Sequence, residues 1–262
     1  MKFQITPYHF DLLKDKERLA VFYEGIQEYV ENKNSKNLVE FDIGSGSGIL
    51  SYFSKSYFKS VIAIEKDFKA YNCAKENLKE FKNITLINED VLNYDFNEKA
   101  DLIVCEMLDT ALIDEEEVPA INHARKFLKD KGEIIPKGII NMAELVNMER
   151  EYVHYEDVDS NIKYDTLSDN VIYSEFNFLD EINPYFETSI QFKIRKDSKI
   201  NGIKITTFTK VTENIICGPT PMLNPPLLIP LNEKIVKTND LIKVKLKYIM
   251  GQGIETIDVK II

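Results

Sequence analysis

The stretch "FDIGSGSGIL" (residues 41–50) joins a short apolar strand pattern, three glycines that alternate with serines, and the start of an apolar helix pattern. Glycine has no side chain, so the backbone can turn tightly and approach a ligand closely. Gly44, Gly46 and Gly48 therefore predict a ligand-binding loop between a strand and a helix. A plain structural turn is the alternative interpretation.

Two ligand classes use such loops, the dinucleotides and S-adenosylmethionine. A dinucleotide fingerprint reads G-x-G-x-x-G, whereas this loop reads G-x-G-x-G and follows Asp42. A helix N-terminus attracts phosphate, but an acidic residue just before it repels a pyrophosphate and attracts an ammonium group. We therefore expect Asp42, Gly44, Gly46 and Gly48 to bind S-adenosylmethionine through its aminoacyl end.

The sequence around this loop indicates an α/β fold. Near-continuous apolar strand patterns alternate with helix patterns, which is typical of a parallel sheet covered on both faces; the strands are "LVEFDIG" (38–44), "SVIAIEKD" (60–67), "NITLINED" (83–90) and "ADLIVCEM" (100–107). Later segments alternate apolar and polar residues, as half-exposed antiparallel strands do; they are "SIQFKIRK" (189–196), "IKITTFTKV" (203–211) and "LIKVKLKYIM" (241–250). The pattern changes near Pro136, so we predict domains at 1–136 and 137–262.

Acidic residues end the later parallel strands. Glu65 follows the second strand, Asp90 the third and Glu106 the fourth. Because ligands bind at the carboxyl ends of parallel strands, we expect Glu65 to accept the ribose hydroxyls of the cofactor. Asp90 would meet the adenine amino group, and the Val91 amide would face the ring. For each acid alone, a solvated strand cap is the alternative.

A second acidic residue stands nine positions after Glu106 in "CEMLDTALIDEEE" (105–117). We interpret Glu106 and Glu115 as a clamp for a cationic acceptor. A guanidinium is charged at any biological pH and is repelled by a sulfonium, and two carboxylates offset that repulsion in paired hydrogen bonds. The alternative is a solvated acidic loop, and we expect Asp114, Glu116 and Glu117 to be solvated.

Composition narrows the class of protein. The chain has 262 residues, 44% of them hydrophobic, and a formal net charge of −10. The absence of a basic stripe favours a protein or another cationic molecule as partner, with RNA possible but not favoured. No apolar run reaches the roughly 20 residues of a membrane span. Three dispersed cysteines predict reduced thiols and a cytoplasmic location. The sequence has no His or Cys cluster at the spacing of metal ligands, so we predict no metal site.

Taken in order, these motifs resemble the class I S-adenosylmethionine-dependent methyltransferases, and among them the protein arginine methyltransferases, over nearly the whole chain. "HFDLLKDKERLAVFYEGI" (9–26) resembles the helix that covers the cofactor in that family. The resemblance implies that His9 touches the cofactor, that Arg18 binds its carboxylate, and that Glu106 and Glu115 are catalytic, with Glu106 also beside the cofactor. It further implies a Rossmann-like domain followed by a β-barrel-like substrate domain.

The chain departs from the family's pattern in several places. It has no Trp, and "LNPPLL" (223–228) stands where the family carries a Thr-His-Trp signature. Asp15 matches the Asp of the family's His–Asp relay, but its partner is absent. The segment 154–170 is short for a dimerisation arm, which leaves the oligomeric state open, and the N-terminus looks too short for the family's first tyrosine-bearing helix. The alternative functions are methylation of RNA or a metabolite, and a non-catalytic binding module.

Overall fold

The computed structural model describes residues 3–31, 33, 37–149, 151–156 and 162–262. The helices are α1 (Pro7–Lys14), α2 (Lys16–Val30), α3 (Ile49–Ser54), α4 (Phe68–Leu78) and α5 (Glu117–Ala124). Short 3₁₀ turns occur at Val91–Asn93, Thr110–Leu112, Arg125–Phe127 and Ile254–Thr256. Among the described helices, none is both long and apolar enough to cross a membrane.

The first part of the chain forms a five-stranded parallel sheet. Its strands are β1 (Val39–Ile43), β2 (Ser60–Ile64), β3 (Ile84–Ile87), β4 (Ala100–Cys105) and β5 (Leu128–Ile135). They lie in the order β3-β2-β1-β4-β5. Every residue of β1 is buried, as expected for a central strand of a parallel sheet, and this includes the acidic Glu40 and Asp42. The predicted Rossmann-like fold class is confirmed.

The second part of the chain is antiparallel, as the two-residue periodicity predicts. Its strands are β6 (Gly138–Met148), β7 (His154–Tyr155), β8 (Tyr164–Thr166), β9 (Val171–Asn177), β10 (Tyr185–Lys193), β11 (Ser198–Lys210), β12 (Ile216–Cys217), β13 (Leu227–Val236), β14 (Leu241–Ile249) and β15 (Asp258–Ile261). One sheet has the order β7-β13-β11-β6-β8, with β12 on β11 and β9 on β6. A smaller sheet has the order β10-β14-β15. Together they form the barrel-like part.

Phe68 is the first residue of α4, and its apolar side chain is 64% exposed. Phe68 opens the helix at the ligand edge of the sheet, where no core lies beneath it, and Asp67 caps the helix by accepting a hydrogen bond from the Ala70 amide. Within the expected arm at 154–170, residues 157–161 lie outside the described part, and the described remainder includes β7 and β8.

The two parts meet closely at α2. A Cβ atom on Gly25 would lie 2.7 Å from Cγ1 of Val211 and 3.4 Å from Cγ2 of Thr212, which follow β11. One continuous apolar core runs through both parts. β5 ends at Ile135 and β6 begins at Gly138, but because packing is continuous, the domain boundary near Pro136 stays a prediction.

Gly25→Ala tests this close approach. Alanine favours a helix interior by about 1 kcal/mol over glycine, but overpacking a core costs typically about 1–3 kcal/mol. We therefore expect the free energy of unfolding, measured in urea, to fall by about 1–2 kcal/mol. Glu24→Ala, at an exposed neighbouring position, is the control and should not be destabilising. A gain of stability in Gly25→Ala would contradict the close contact.

Candidate functional site

A cleft of about 1070 Å³ lies at the carboxyl edge of the parallel sheet. Its walls come from α1, the glycine loop, the segments that follow β2, β3 and β4, and barrel residues near 221–225. Of the eleven predicted site residues, nine line this cleft; they are His9, Arg18, Gly44, Gly46, Glu65, Asp90, Val91, Glu106 and Glu115. Asp42 and Gly48 are not among the lining residues.

The glycine loop has the left-handed backbone that its sequence predicts. Gly44, Gly46 and Gly48 have φ values of 68°, 55° and 83°. A Cβ on Gly46 would lie 2.7 Å from Nε2 of His9, and one on Gly44 would lie 2.5 Å from Sδ of Met107. The absence of a side chain at these two glycines therefore lets His9 and Met107 pack directly against the loop. Gly48 has another use, because a Cβ there would press against Leu78 on α4 at 2.6 Å.

Asp42 corrects the sequence interpretation. Its carboxylate is buried, and Oδ2 accepts hydrogen bonds from the amide and hydroxyl of Ser51 at 2.9 and 2.5 Å. Burial raises its pKa to about 6, and the bonds from Ser51 oppose that shift. Asp42 thus fastens the start of α3 to β1. It shapes the glycine loop and does not present its side chain to a ligand in the cleft.

Glu65 connects β2 to the glycine loop. Its Oε2 accepts a hydrogen bond from the Gly46 amide at 2.8 Å, and its Oε1 accepts one from the Asp67 amide at 2.7 Å. Burial raises the pKa of this carboxyl. Each carboxylate oxygen has a second lone pair, so the side chain is fixed in place and can still accept hydrogen bonds from hydroxyl groups of a ligand.

Asp90 and Val91 lie side by side at the end of β3. Oδ1 of Asp90 accepts a hydrogen bond from the Leu92 amide at 2.9 Å and so begins the short turn at Val91–Asn93. The Val91 side chain is buried. A carboxylate beside an apolar wall is the combination that a purine base with an exocyclic amine requires.

Arg18, on α2, provides the buried cation of the cleft. It forms an ion pair with Glu106, and the two side chains are 7% and 6% exposed. Its Nη1 donates to the Leu12 carbonyl at 3.3 Å, but Nε has no hydrogen-bonding partner in the described part of the chain. Burial lowers the pKa of Arg18 to about 10, so it stays charged at neutral pH. An incompletely bonded guanidinium fits the carboxylate of an aminoacyl cofactor.

Glu115 lies at the other end of the acidic loop and has a partner that sequence reasoning missed. The Tyr8 hydroxyl on α1 donates to Oε1 of Glu115 at 3.3 Å. Within the described residues, this is the one hydrogen bond of that carboxylate, and burial raises its pKa. The N-terminal segment therefore does bring a tyrosine to the site. The signal in the sequence is the position of Tyr8 beside His9 in the same helix pattern.

The neighbours of Glu115 differ in their surroundings. Glu117, expected to be solvated, is buried; its Oε2 accepts from the Met107 amide at 3.0 Å, and burial raises its pKa to about 8. Glu117 is the first residue of α5, below the acidic loop, and it is buried by tertiary packing and not by its neighbours in the sequence. Asp114 accepts hydrogen bonds from the Tyr155 hydroxyl at 2.5 Å and the Ile254 amide at 3.1 Å. Glu116 forms an exposed ion pair with Lys66, as a solvated residue would.

Asp15 has a different partner from the histidine that the family resemblance implies. Its Oδ2 accepts hydrogen bonds from the Thr220 hydroxyl and, at 3.1 Å, from the Met222 amide. Its Oδ1 caps α2 by accepting from the Arg18 amide at 3.1 Å. The barrel segment that reaches the cofactor domain here is 220–222, just before the "LNPPLL" expected from the sequence.

The chain is similar in sequence to known methyltransferases. The family model described as ribosomal protein L11 methyltransferase (PrmA) matches residues 23–163. An uncharacterized protein of Methanothermobacter thermautotrophicus is 43% identical over 262 residues, which is 100% of both chains. Protein arginine N-methyltransferase 7 of Danio rerio is 32% identical over 149 residues, which cover 52% of this chain and 22% of that protein.

Among solved structures, the Trypanosoma brucei PRMT1 enzyme–prozyme heterotetrameric complex with AdoHcy aligns with a TM-score of 0.78, covering 92% of this chain and 87% of the other. At 17% identity, this likeness establishes the fold alone. The family model, however, spans more than half of the chain. The chain therefore belongs to the PrmA methyltransferase family, and it is a class I S-adenosylmethionine-dependent methyltransferase.

Proposed function

We propose that this enzyme methylates a nitrogen of a cationic acceptor, such as a protein arginine, held by Glu106 and Glu115. The observation that carries the proposal is the unequal use of the acidic loop's carboxylates. The carboxylates that already have strong partners are Asp109, with loop amides; Asp114, with Tyr155; Glu116, with Lys66; and Glu117, with the Met107 amide. Glu115 has one hydroxyl partner and so retains most of its capacity to bind a cation.

The residues of the cleft would hold the cofactor from end to end. Arg18 would bind its carboxylate while keeping Glu106, because a guanidinium has five N–H donors. Glu65 would accept from the ribose, and Asp90 with Val91 would receive the adenine. When bound, S-adenosylmethionine supplies a methyl group on a positively charged sulfur.

The charge of the acceptor explains the need for two glutamates. Two unit charges 4 Å apart repel by about 4 kcal/mol at an effective dielectric constant of about 20. Carboxylates on either side of the acceptor offset that repulsion and fix a planar guanidinium through paired hydrogen bonds. Glu115, whose pKa is raised by burial, would then also take up the proton that the methylated nitrogen releases.

The relatives support the choice of acceptor. The zebrafish relative is named for arginine N-methylation, and its match covers 52% of this chain. We extend the proposal to a cytoplasmic enzyme, because the three cysteines are free and such thiols are typical of a reducing compartment.

The acceptor class can be identified directly. Labelled S-adenosylmethionine is added with the enzyme to a cell lysate, and the label is measured in the protein, RNA and small-molecule fractions. We expect label in arginine residues of the protein fraction. Label confined to RNA would overturn the proposal of a cationic acceptor. Label in a small guanidine or amine would be consistent with the Glu106 and Glu115 clamp but would show that the acceptor is a small molecule and not a protein.

Binding of the cofactor product should be visible as thermal stabilisation. A ligand that binds only the native state stabilises it by about 2.7 kcal/mol at 100 times its Kd. We expect S-adenosylhomocysteine to raise the Tm and NAD to leave it unchanged, as measured by differential scanning fluorimetry. The reverse pattern would contradict the assignment of the cleft.

Substitution of the clamp residues tests the acceptor site. Glu115→Gln keeps the shape of the side chain and removes its charge, so turnover should fall about tenfold or more, because a charge-assisted hydrogen bond contributes about 1.5–3 kcal/mol. S-adenosylhomocysteine affinity should be unchanged. Glu106→Gln should lose activity too, but it also leaves Arg18 buried without its partner and should weaken cofactor binding.

Glu116→Gln is the matched control for both variants, since Glu116 carries the same charge in the same loop and pairs with Lys66 at the surface. Its activity should match the wild type. Glu117→Gln is unsuitable as a control because that residue is buried. Full activity in Glu115→Gln with a labelled acceptor would defeat the clamp.

A further inference from the structure

Asp109 lies at the centre of the acidic loop and is 7% exposed. Its Oδ2 accepts hydrogen bonds from the amides of Ile113 and Asp114, each at 3.0 Å, and its Oδ1 accepts one from the Glu115 amide at 3.2 Å. One carboxylate thus holds the three consecutive amides that end at the acceptor residue Glu115.

The loop needs such support because its backbone is strained. Ala111 and Leu112 have φ values of 60° and 61°, a region that residues with a Cβ rarely adopt. Strained backbone persists where the surrounding structure over-determines it. Here the Ala111 amide donates to the Thr207 hydroxyl on β11 at 2.9 Å, and the Gly251 amide after β14 donates to the Leu112 carbonyl at 3.0 Å.

The barrel also reaches Asp109 itself. The Tyr155 hydroxyl, on β7, lies 3.2 Å from Oδ2 of Asp109 and 2.5 Å from Oδ2 of Asp114. Tyr155 lines the same cleft as Glu106 and Glu115. A movement of β7 would therefore displace the carboxylate that binds the backbone amides up to Glu115.

We propose that Asp109 is the positioning residue of the acceptor site, fixing Glu115 relative to Glu106, and that Tyr155 connects this support to the barrel. The proposal rests on the proposed function, because it takes Glu115 as a ligand of the acceptor. Asp109 lines the cleft, but its carboxylate is engaged by loop amides, so the role assigned to it acts through the loop backbone. The barrel then contributes to the affinity for the acceptor by holding the loop.

The surroundings of Asp109 give the proposal a pH dependence. The groups that face it are Asp114 on its own loop, Glu117 on α5, Tyr155 on β7 and Tyr248 on β14. Burial raises the pKa of Asp109 to about 7, and its bonds from the loop amides oppose that shift. Because its pKa is higher in the buried, held loop than in a solvent-exposed carboxyl, protonation favours the held loop, and the hold on the loop weakens as the pH rises through about 7.

Asp109→Asn is the direct test. The amide side chain has one oxygen and one NH₂ group, so it cannot accept on both sides of the loop, and one set of amides must lose its acceptor. We expect faster hydrogen exchange at the amides of Ile113, Asp114 and Glu115, with the Ser45 amide, which donates to Ile64, as the internal control. This readout does not depend on the identity of the acceptor.

The kinetic arm uses a peptide with one arginine between glycines as the methyl acceptor. We expect Asp109→Asn to raise the KM for this peptide about tenfold, to change kcat less, and to leave S-adenosylhomocysteine affinity unchanged. The rise in KM as the pH of the wild type is raised through about 7 should be absent from the variant. Glu116→Gln should behave as the wild type in every readout.

The outcomes separate the two levels of the proposal. Unchanged exchange at the three amides, or an unchanged KM for a peptide that the wild type methylates, overturns the role of Asp109. Faster exchange at the three amides, together with a wild type that does not methylate the peptide, would confirm that Asp109 holds the loop but would overturn arginine as the acceptor.

Tyr155→Phe serves if Asp109→Asn does not fold. Loss of the hydroxyl removes the contacts of β7 with Asp109 and Asp114 and should raise the KM for the peptide, while S-adenosylhomocysteine affinity stays the same. An unchanged KM would overturn the connection through Tyr155.

Discussion

Carboxylates that follow neighbouring parallel strands stand at one edge of the sheet and repel one another, and the whole cleft depends on how this repulsion is offset. Hydrogen bonds from backbone amides offset most of this repulsion. Glu65 accepts hydrogen bonds from Gly46 and Asp67, and Asp109 accepts them from three loop residues. A single buried guanidinium, that of Arg18, balances Glu106. Since amide dipoles neutralise a charge without adding a side chain, the cleft stays open enough to admit a cofactor and an acceptor.

The barrel-like part acts on the site through the acidic loop. Thr207 and the turn at Gly251 hold the loop's strained residues, and Tyr155 reaches its buried carboxylate. The part of the cleft at the acidic loop is therefore built jointly by the two parts of the chain, whereas the glycine loop, Glu65 and Asp90 belong to the parallel sheet. If Glu115 binds the acceptor as proposed, sequence changes in the barrel would alter the choice of acceptor without altering the cofactor.

The sequence predicts the frame of the site well and its inner contacts poorly. The glycine loop and the acids at the strand ends could be placed because each follows a strand whose apolar pattern is unmistakable. The burial of Asp42 and Glu117 could not be predicted, because the sequence does not show whether an acidic side chain accepts a hydrogen bond from a buried amide or faces water. The partnership of Tyr8 with Glu115 spans 107 positions and depends on how α1 folds over the sheet, which local periodicity does not contain.

The shared carboxylate of Asp15 has a consequence for how the chain can be divided. It caps α2 with one oxygen and binds Thr220 and Met222 of the barrel-like part with the other. A fragment that ended near Pro136 would keep the hydrogen bond that caps α2. The second oxygen of Asp15 would lose its donors, and the surface of α2 at Gly25 would be exposed to solvent. We therefore expect a fragment that ends near Pro136 to be less stable than the same residues within the whole chain.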